Sequence, residues 1–272
     1  MRGPIGIFDS GYGGLTVLKS IRENLPQYSY LYLGDNARTP YGTRSFETVY
    51  QYTLEAVNYL FDQGCPLVIL ACNTASAKAL RSIQQNDLHH IDPTKRVLGV
   101  IRPTSEIIGE KSKGGAIGIL GTNGTVQSLS YLLEIAKFYP HVKVYQQACP
   151  MWVPLVENNE LLGEGPAYFV QKSIDQLLNQ SSDIDTILLG CTHYPLLIDL
   201  IEQYLPQNMA VVPQGPIVAK SLTDYLSRHP EMEQRCLRGG SAEFLTTDDP
   251  EKFSEASAIF LGSDQSARKI TL

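Results

Sequence analysis

The sequence predicts an α/β fold of two pseudo-symmetric domains with mainly parallel sheets and an active site in the interdomain cleft. Three observations carry this. Short runs rich in Val, Ile, Leu and Tyr alternate with longer amphipathic stretches, as in βαβ units. The order of these runs repeats: "IGIFDS" at 5–10 resembles "IGILGT" at 117–122. Residues with chemistry to offer stand just after the runs, at the carboxyl ends where open α/β sheets gather ligands.

Taken in order, the strand candidates are 5–8, 30–34, 67–71, 97–101, 116–120, 142–146, 186–190 and 209–213. Each is short and rich in Val, Ile, Leu or Tyr, as buried parallel strands are. Between them, "LTVLKSIRENL" (15–25) sets Leu15, Leu18, Ile21 and Leu25 on one helical face. "SFETVYQYTLEAVNYLFDQG" (45–64) opens on Ser45, a good N-cap, and stops at Gly64. "PLLIDLIEQYL" (195–205) opens on Pro195, suited to a first helical turn, and stops before Pro206. The second strand starts 25 residues after residue 5 (30 − 5) and 25 after residue 117 (142 − 117). Cys72 lies 67 residues after residue 5 (72 − 5), and Cys191 lies 74 after residue 117 (191 − 117).

Composition narrows the function. The net charge is −6 and no useful Lys/Arg run exists, which argues against a nucleic-acid surface. "RCLRGG" (235–240) reads as a solvated turn. The five cysteines are odd in number and widely spaced with no C-x-x-C pair, so no metal site is expected. The N-terminus lacks a signal-peptide core and no run reaches the length of a membrane span, so a cytoplasmic protein with reduced thiols is expected.

Cys72 and Cys191 are the two chemistry-bearing thiols. Free cysteine is among the most buried residue types, and a lone one reads as core. These two each follow a strand, each precede an expected helix start whose dipole favours a thiolate, and each adjoin small polar residues: Asn73 and Thr74, or Thr192. Cys65 and Cys236 read as structural or exposed thiols, and Cys149, at a strand end but followed by Pro150, takes the bland reading as well. "FDSGYGGL" (8–15) places Asp9 and Ser10 in a glycine-rich strand-to-helix turn that admits close ligand approach, or else serves as a tight turn capped by Asp9. It is neither a P-loop nor a G-x-G-x-x-G fingerprint. Tyr41-Gly42, after Pro40, forms a stiff turn in a polar loop. His193 is either a helix-capping histidine or the partner of a Cys191 nucleophile, and Glu157 by itself reads as a solvated carboxylate.

Two thiols flanking one cleft suit a two-base proton transfer that inverts a carbon centre, one thiolate removing a proton and the opposite thiol returning one. "FDSGYGGLTV", "DNARTPYG", "ACNTASA" and "GCTHYPLL", with "VPLVEN" and "FLTTDDPEKFSEASAIFLG", resemble the glutamate racemases of the aspartate/glutamate racemase superfamily. The likeness runs from residue 5 to about 262. It implies cofactor-independent interconversion of L- and D-glutamate, supplying D-glutamate for peptidoglycan, in a homodimer with no nucleic-acid or membrane partner. It implies a chain that returns to its first domain near the end, giving domains of 1–100 plus 213–272 and 101–212. It implies that Cys72 takes the proton from D-glutamate with help from Asp9, and Cys191 from L-glutamate with help from His193 and Glu157. Asp9, Ser10, Tyr41, Gly42, Asn73, Thr74, Thr122, Thr125, Thr192 and His193 would bind the amino acid. Tyr12 departs from the "DSGVGG" of many relatives and falls beside the expected site entrance. The competing readings are an aspartate or hydantoin racemase, a Cys–His hydrolase built on Cys191 and His193, and a two-domain amino-acid binding protein.

Overall fold

The structure, a computed structural model, describes residues 2–272. Its strands are β1 (Ile5–Asp9), β2 (Tyr30–Gly34), β3 (Leu67–Leu70), β4 (Arg96–Gly99), β5 (Ala116–Gly121), β6 (Lys143–Ala148), β7 (Thr186–Gly190), β8 (Ala210–Val212), β9 (Ala242–Thr246) and β10 (Ala267–Lys269). They form two sheets, in the orders β10-β9-β2-β1-β3-β4 and β6-β5-β7-β8, with every ladder parallel. The four-strand order β2-β1-β3-β4 is matched by β6-β5-β7-β8, so the sequence repeat is a repeat of topology. The first sheet carries two further strands from the end of the chain, β9 and β10, which the apolar pattern does not disclose.

Register brings the reactive ends together. Phe8 in β1 is level with Leu70 in β3, so Asp9 and the Ala71-Cys72 segment leave the sheet as neighbours. Gly121 in β5 is level with Gly190 in β7, so Thr122 and Cys191 emerge side by side from the second sheet.

Several expected boundaries move, each for a local reason. The run at 97–101 is a strand only over Arg96–Gly99; Val100 donates its N–H to Ser76 Oγ (3.3 Å) and Ile101 opens a helix, Ile101–Ser105. The 142–146 run is a strand over Lys143–Ala148, because Gln147 and Ala148 still find partners in Leu120 and Gly121. The expected 195–205 helix is a 3₁₀ turn at Tyr194–Leu197 followed by an α-helix at Ile198–Tyr204. Pro195, having no N–H, suits the first turn of either. The other two helices form as Gly14–Asn24 and Phe46–Asp62. Ser45 Oγ accepts from Thr48 N (3.1 Å), and Gly64 takes φ +87° just past the end, a conformation that favours glycine.

The core lies on both faces of each sheet, and β1, β3, β5 and β7 are buried along their whole length. Leu15, Val17, Leu18 and Ile21 of the Gly14–Asn24 helix are buried, with Val218, Ala219 and Leu222 of the Gly215–Arg228 helix in the same cluster. Burying such side chains stabilises the fold by about 1.5–3 kcal/mol each. The chain passes from the first sheet to the second after β4 and returns after β8, through Gln214. Among the described residues no helix is long and apolar enough to cross a membrane.

Candidate active site

The carboxyl ends of both sheets open into one cavity of about 320 Å³. From the first sheet it is lined by Ser10, Pro40, Tyr41, Gly42, Cys72, Asn73 and Thr74, and from the second by Thr122, Cys149, Glu157, Cys191, Thr192 and His193. Cys72 and Cys191 are each 6% exposed, buried except for what faces this space.

Cys72 caps the short Asn73–Lys78 helix, its Sγ accepting from Ala75 N at 3.4 Å. Ser10 Oγ also lies 3.4 Å from that sulfur. The helix start does not make Cys72 a ready thiolate in the empty site. Burial raises its pKa to about 12, and the nearby Asp9 charge pushes the same way, outweighing the hydrogen bonds from Ser10 and Ala75. Asp9 is itself buried and raised from the usual carboxylate value, chiefly by desolvation. One of its oxygens accepts from Gly11 N (2.9 Å), and the other, Oδ2, has no protein partner among the described residues. Asp9 stands behind the cavity wall and is not one of its lining residues.

Cys191 has different surroundings. The helix start beside it is a 3₁₀ turn, Tyr194–Leu197, and the α-helix itself waits until Ile198. Its partner is His193, whose Nδ1 is 3.8 Å from Cys191 Sγ, while Nε2 is 3.0 Å from Glu157 Oε1. Burial by itself would lower the His193 pKa, but the hydrogen bonds and charges of Cys191 and Glu157 overcome it and raise it to about 10. His193 stands at the cap of the 3₁₀ turn without making a cap hydrogen bond; its ring serves the thiol instead. Phe260 meets the imidazole edge-on at 5.4 Å and closes its outer side.

The remaining residues divide by what they still have to offer. Tyr41 donates its hydroxyl to Asp35 (2.5 Å), with burial and that carboxylate holding it protonated, so the Tyr41-Gly42 turn meets the cavity with backbone and ring. Thr122 Oγ1 is 3.0 Å from Thr74 Oγ1 and 3.1 Å from Thr125 Oγ1, a hydroxyl chain spanning the two sheets. Thr125 is fully buried behind Thr122 and does not line the cavity. The amides of Asn73 and Thr74 belong to the first turn of their helix, where no intrahelical acceptor exists.

Across the cleft, Thr16 Oγ1 donates to Thr192 O (2.9 Å). Gly13 packs so closely that a Cβ there would fall 2.2 Å from Thr192 Oγ1 and 2.4 Å from His193 Nδ1. Gly13→Ala is therefore expected to destabilise the protein by about 1–3 kcal/mol and to displace His193. Thermal melts and turnover of the variant check this, and an unchanged melting temperature with unchanged turnover would refute the packing argument. Tyr12 is not a cavity-lining residue; it is half-buried against Phe253 (5.9 Å between ring centres) and Phe260 (6.4 Å). Cys149, expected to be a bland core thiol, lines the cavity at the end of β6, and its position after a strand was the one signal for it. Among the described residues no group of three or more His, Cys, Asp and Glu stands ready to hold a metal ion.

Comparison with known proteins gives matches over nearly the whole chain. The chain is 41% identical over 269 residues to a glutamate racemase of Roseobacter denitrificans, covering 94% of this chain and 96% of that protein. Among solved structures, a glutamate racemase isoform from Bacillus anthracis superposes with a TM-score of 0.87 at 34% identity, covering 99% of this chain and 98% of that one. A glutamate racemase from Francisella tularensis, solved in complex with D-glutamate, gives 0.87 at 29% identity with the same coverage. The family model described as Asp/Glu/Hydantoin racemase matches residues 5–221, a span that holds Cys72, Cys191 and every other residue lining the cavity, and to that family this chain belongs.

Proposed function

We propose that this chain interconverts L- and D-glutamate by a two-thiol proton transfer at Cα, without a cofactor. The observation that carries the mechanism is the pair of strand-end thiols, Cys72 and Cys191, lining one cavity from opposite sheets. Near-complete coverage of glutamate racemases at about 40% identity supports glutamate as the substrate.

The two sides of the site are unlike, and the difference supports a direction for each thiol. An imidazolium beside Cys191 puts positive charge where a thiolate needs it, whereas Cys72 keeps its proton, with a pKa near 12. This resting state suits L-glutamate: Cys191 takes the Cα proton and Cys72 delivers its own to the opposite face, yielding the D-enantiomer. The reverse reaction starts from the opposite protonation state, and Asp9, raised by burial, is the carboxyl group electrostatically coupled to Cys72. The Cα proton of an amino acid is weakly acidic, and no carbonyl cofactor spreads the carbanion's charge. The charge moves onto the substrate carboxylate, so donors aimed there carry the electrostatic part of the work. Asn73, Thr74, Thr192 and the Tyr41-Gly42 turn supply them, and burial strengthens each contact. In this reading residues 1–100 with 213–272 form one jaw and 101–212 the other, the protein is cytoplasmic and homodimeric, and its product feeds peptidoglycan synthesis.

The Cys191–His193–Glu157 chain also has the order nucleophile, base and orienting acid, which favours a hydrolase as the second reading. One experiment separates them. Incubated with D-glutamate in D₂O, without added pyridoxal phosphate or metal, the protein is expected to abolish the circular dichroism signal and to deuterate Cα by NMR. Intact dichroism and no deuteration, with D-aspartate silent as well, would overturn the racemase reading.

A further inference from the structure

Asn73 takes part in a closed ring of hydrogen bonds with two residues that do not line the cavity. Its Nδ2 donates to Gln214 Oε1 (2.7 Å), Gln214 Nε2 donates to Tyr131 Oη (2.5 Å), and Tyr131 Oη donates to Asn73 Oδ1 (2.6 Å). The second N–H of Gln214 goes to Thr104 Oγ1 (3.0 Å) and Val100 O (3.3 Å). Asn73, Thr104, Tyr131 and Gln214 are all buried, with at most 3% exposure.

The ring has one direction only. Tyr131 has a single proton and spends it on Asn73, so the oxygen of Asn73 must sit on that side. Gln214 must then accept from Asn73 and give to Tyr131, an orientation that its bonds to Thr104 and Val100 fix independently. A flipped Asn73 would set two donors against each other on one side and two acceptors on the other, each a buried mismatch costing about 1–3 kcal/mol. Of the five N–H and O–H donors in the ring's side chains, one N–H of the Asn73 amide is left over, and Asn73 lines the cavity.

We infer that Tyr131 and Gln214 are positioning residues that lock the Asn73 amide so that it presents a donor, not an acceptor, to a carboxylate oxygen of the substrate. This rests on the racemase reading above. The ring's members come from the helix that Cys72 caps, from the Ser130–Phe138 helix, and from the return crossing between the sheets; Val100 and Thr104 follow the outward crossing. The donor is thus fixed by the joints that hold the two sheets together.

The test is a double-mutant cycle on kcat/KM for glutamate, with wild-type racemisation measured first. If the wild type is inactive, the racemase reading fails and the cycle is replaced by the D-glutamate affinity of the same variants. Tyr131→Phe is expected to lower kcat/KM about tenfold, the weight of one buried hydrogen bond. In the Asn73→Ala background the same change is expected to do nothing more, because the amide it orients is gone. Thr104→Val leaves the ring intact, with Gln214 Nε2 still bonded to Val100 O, and serves as the packing control, with kcat/KM within twofold of wild type. Equal losses from Tyr131→Phe with and without Asn73 would show a merely structural role and overturn the proposal. Should Tyr131→Phe fail to fold, as judged by its melting curve, Gln214→Met opens the ring from the other side and the same cycle decides.

Discussion

Alanine at Cys72 and alanine at Cys191 are each expected to lower racemisation by about 10³-fold or more, the scale on which a positioned acid or base acts. Either thiol by itself leaves inversion incomplete, because the proton must leave one face of Cα and return to the other. The variants are expected to differ in what survives. Cys72→Ala keeps the Cys191–His193–Glu157 side intact. It should still exchange the Cα hydrogen of L-glutamate for deuterium slowly, with configuration retained. Cys191→Ala should do the same with D-glutamate, and more slowly, because its remaining thiol has a pKa near 12 and no cationic partner. Deuteration by NMR and inversion by circular dichroism are read on one sample. Wild-type inversion in either variant would end the two-thiol mechanism, and loss confined to Cys191→Ala would favour the hydrolase.

Much of this site is written locally in the sequence. Strands β1, β3, β5 and β7 are continuous apolar runs, so Asp9, Cys72, Thr122 and Cys191 can be placed at strand ends by inspection. What could not be read depends on distance in the chain. Glu157 is 36 residues from His193, and only the fold brings its carboxylate to the imidazole. The ring around Asn73 joins positions 58 and 141 residues apart from it. Strand β10 is "ARK", polar and at a sheet edge, so no apolar pattern marks it; β9 is half-buried at its start and follows a glycine turn. The thiol chemistry shows the same limit. The helix start beside Cys72 is present as expected, yet burial and Asp9, which are tertiary facts, decide its protonation.

His193 is expected to carry the pH dependence. Its pKa of about 10 in the fold, against an ordinary value of 6.5, means that it stays protonated through neutrality. The stabilisation it draws from Cys191 and Glu157 is therefore complete below pH 6.5 and is lost as the pH rises through about 10. The groups facing the ring are Cys191 on one nitrogen, Glu157 on the other and the Asp9 charge nearby, with apolar Phe260 at its edge. His193→Asn is expected to lower kcat/KM about 10²-fold, equally in both directions, since the equilibrium constant between mirror images is one. Glu157→Gln keeps a hydrogen-bond acceptor beside Nε2 but removes the negative charge that helps hold the imidazole proton. Its alkaline limb in a pH–kcat/KM profile is expected to move to lower pH, with activity at neutral pH falling much less than in His193→Asn. If the limb stays where the wild type has it, the ionisation that limits activity is not that of His193, and the positive charge assigned to the Cys191 side would have to come from elsewhere in the cavity.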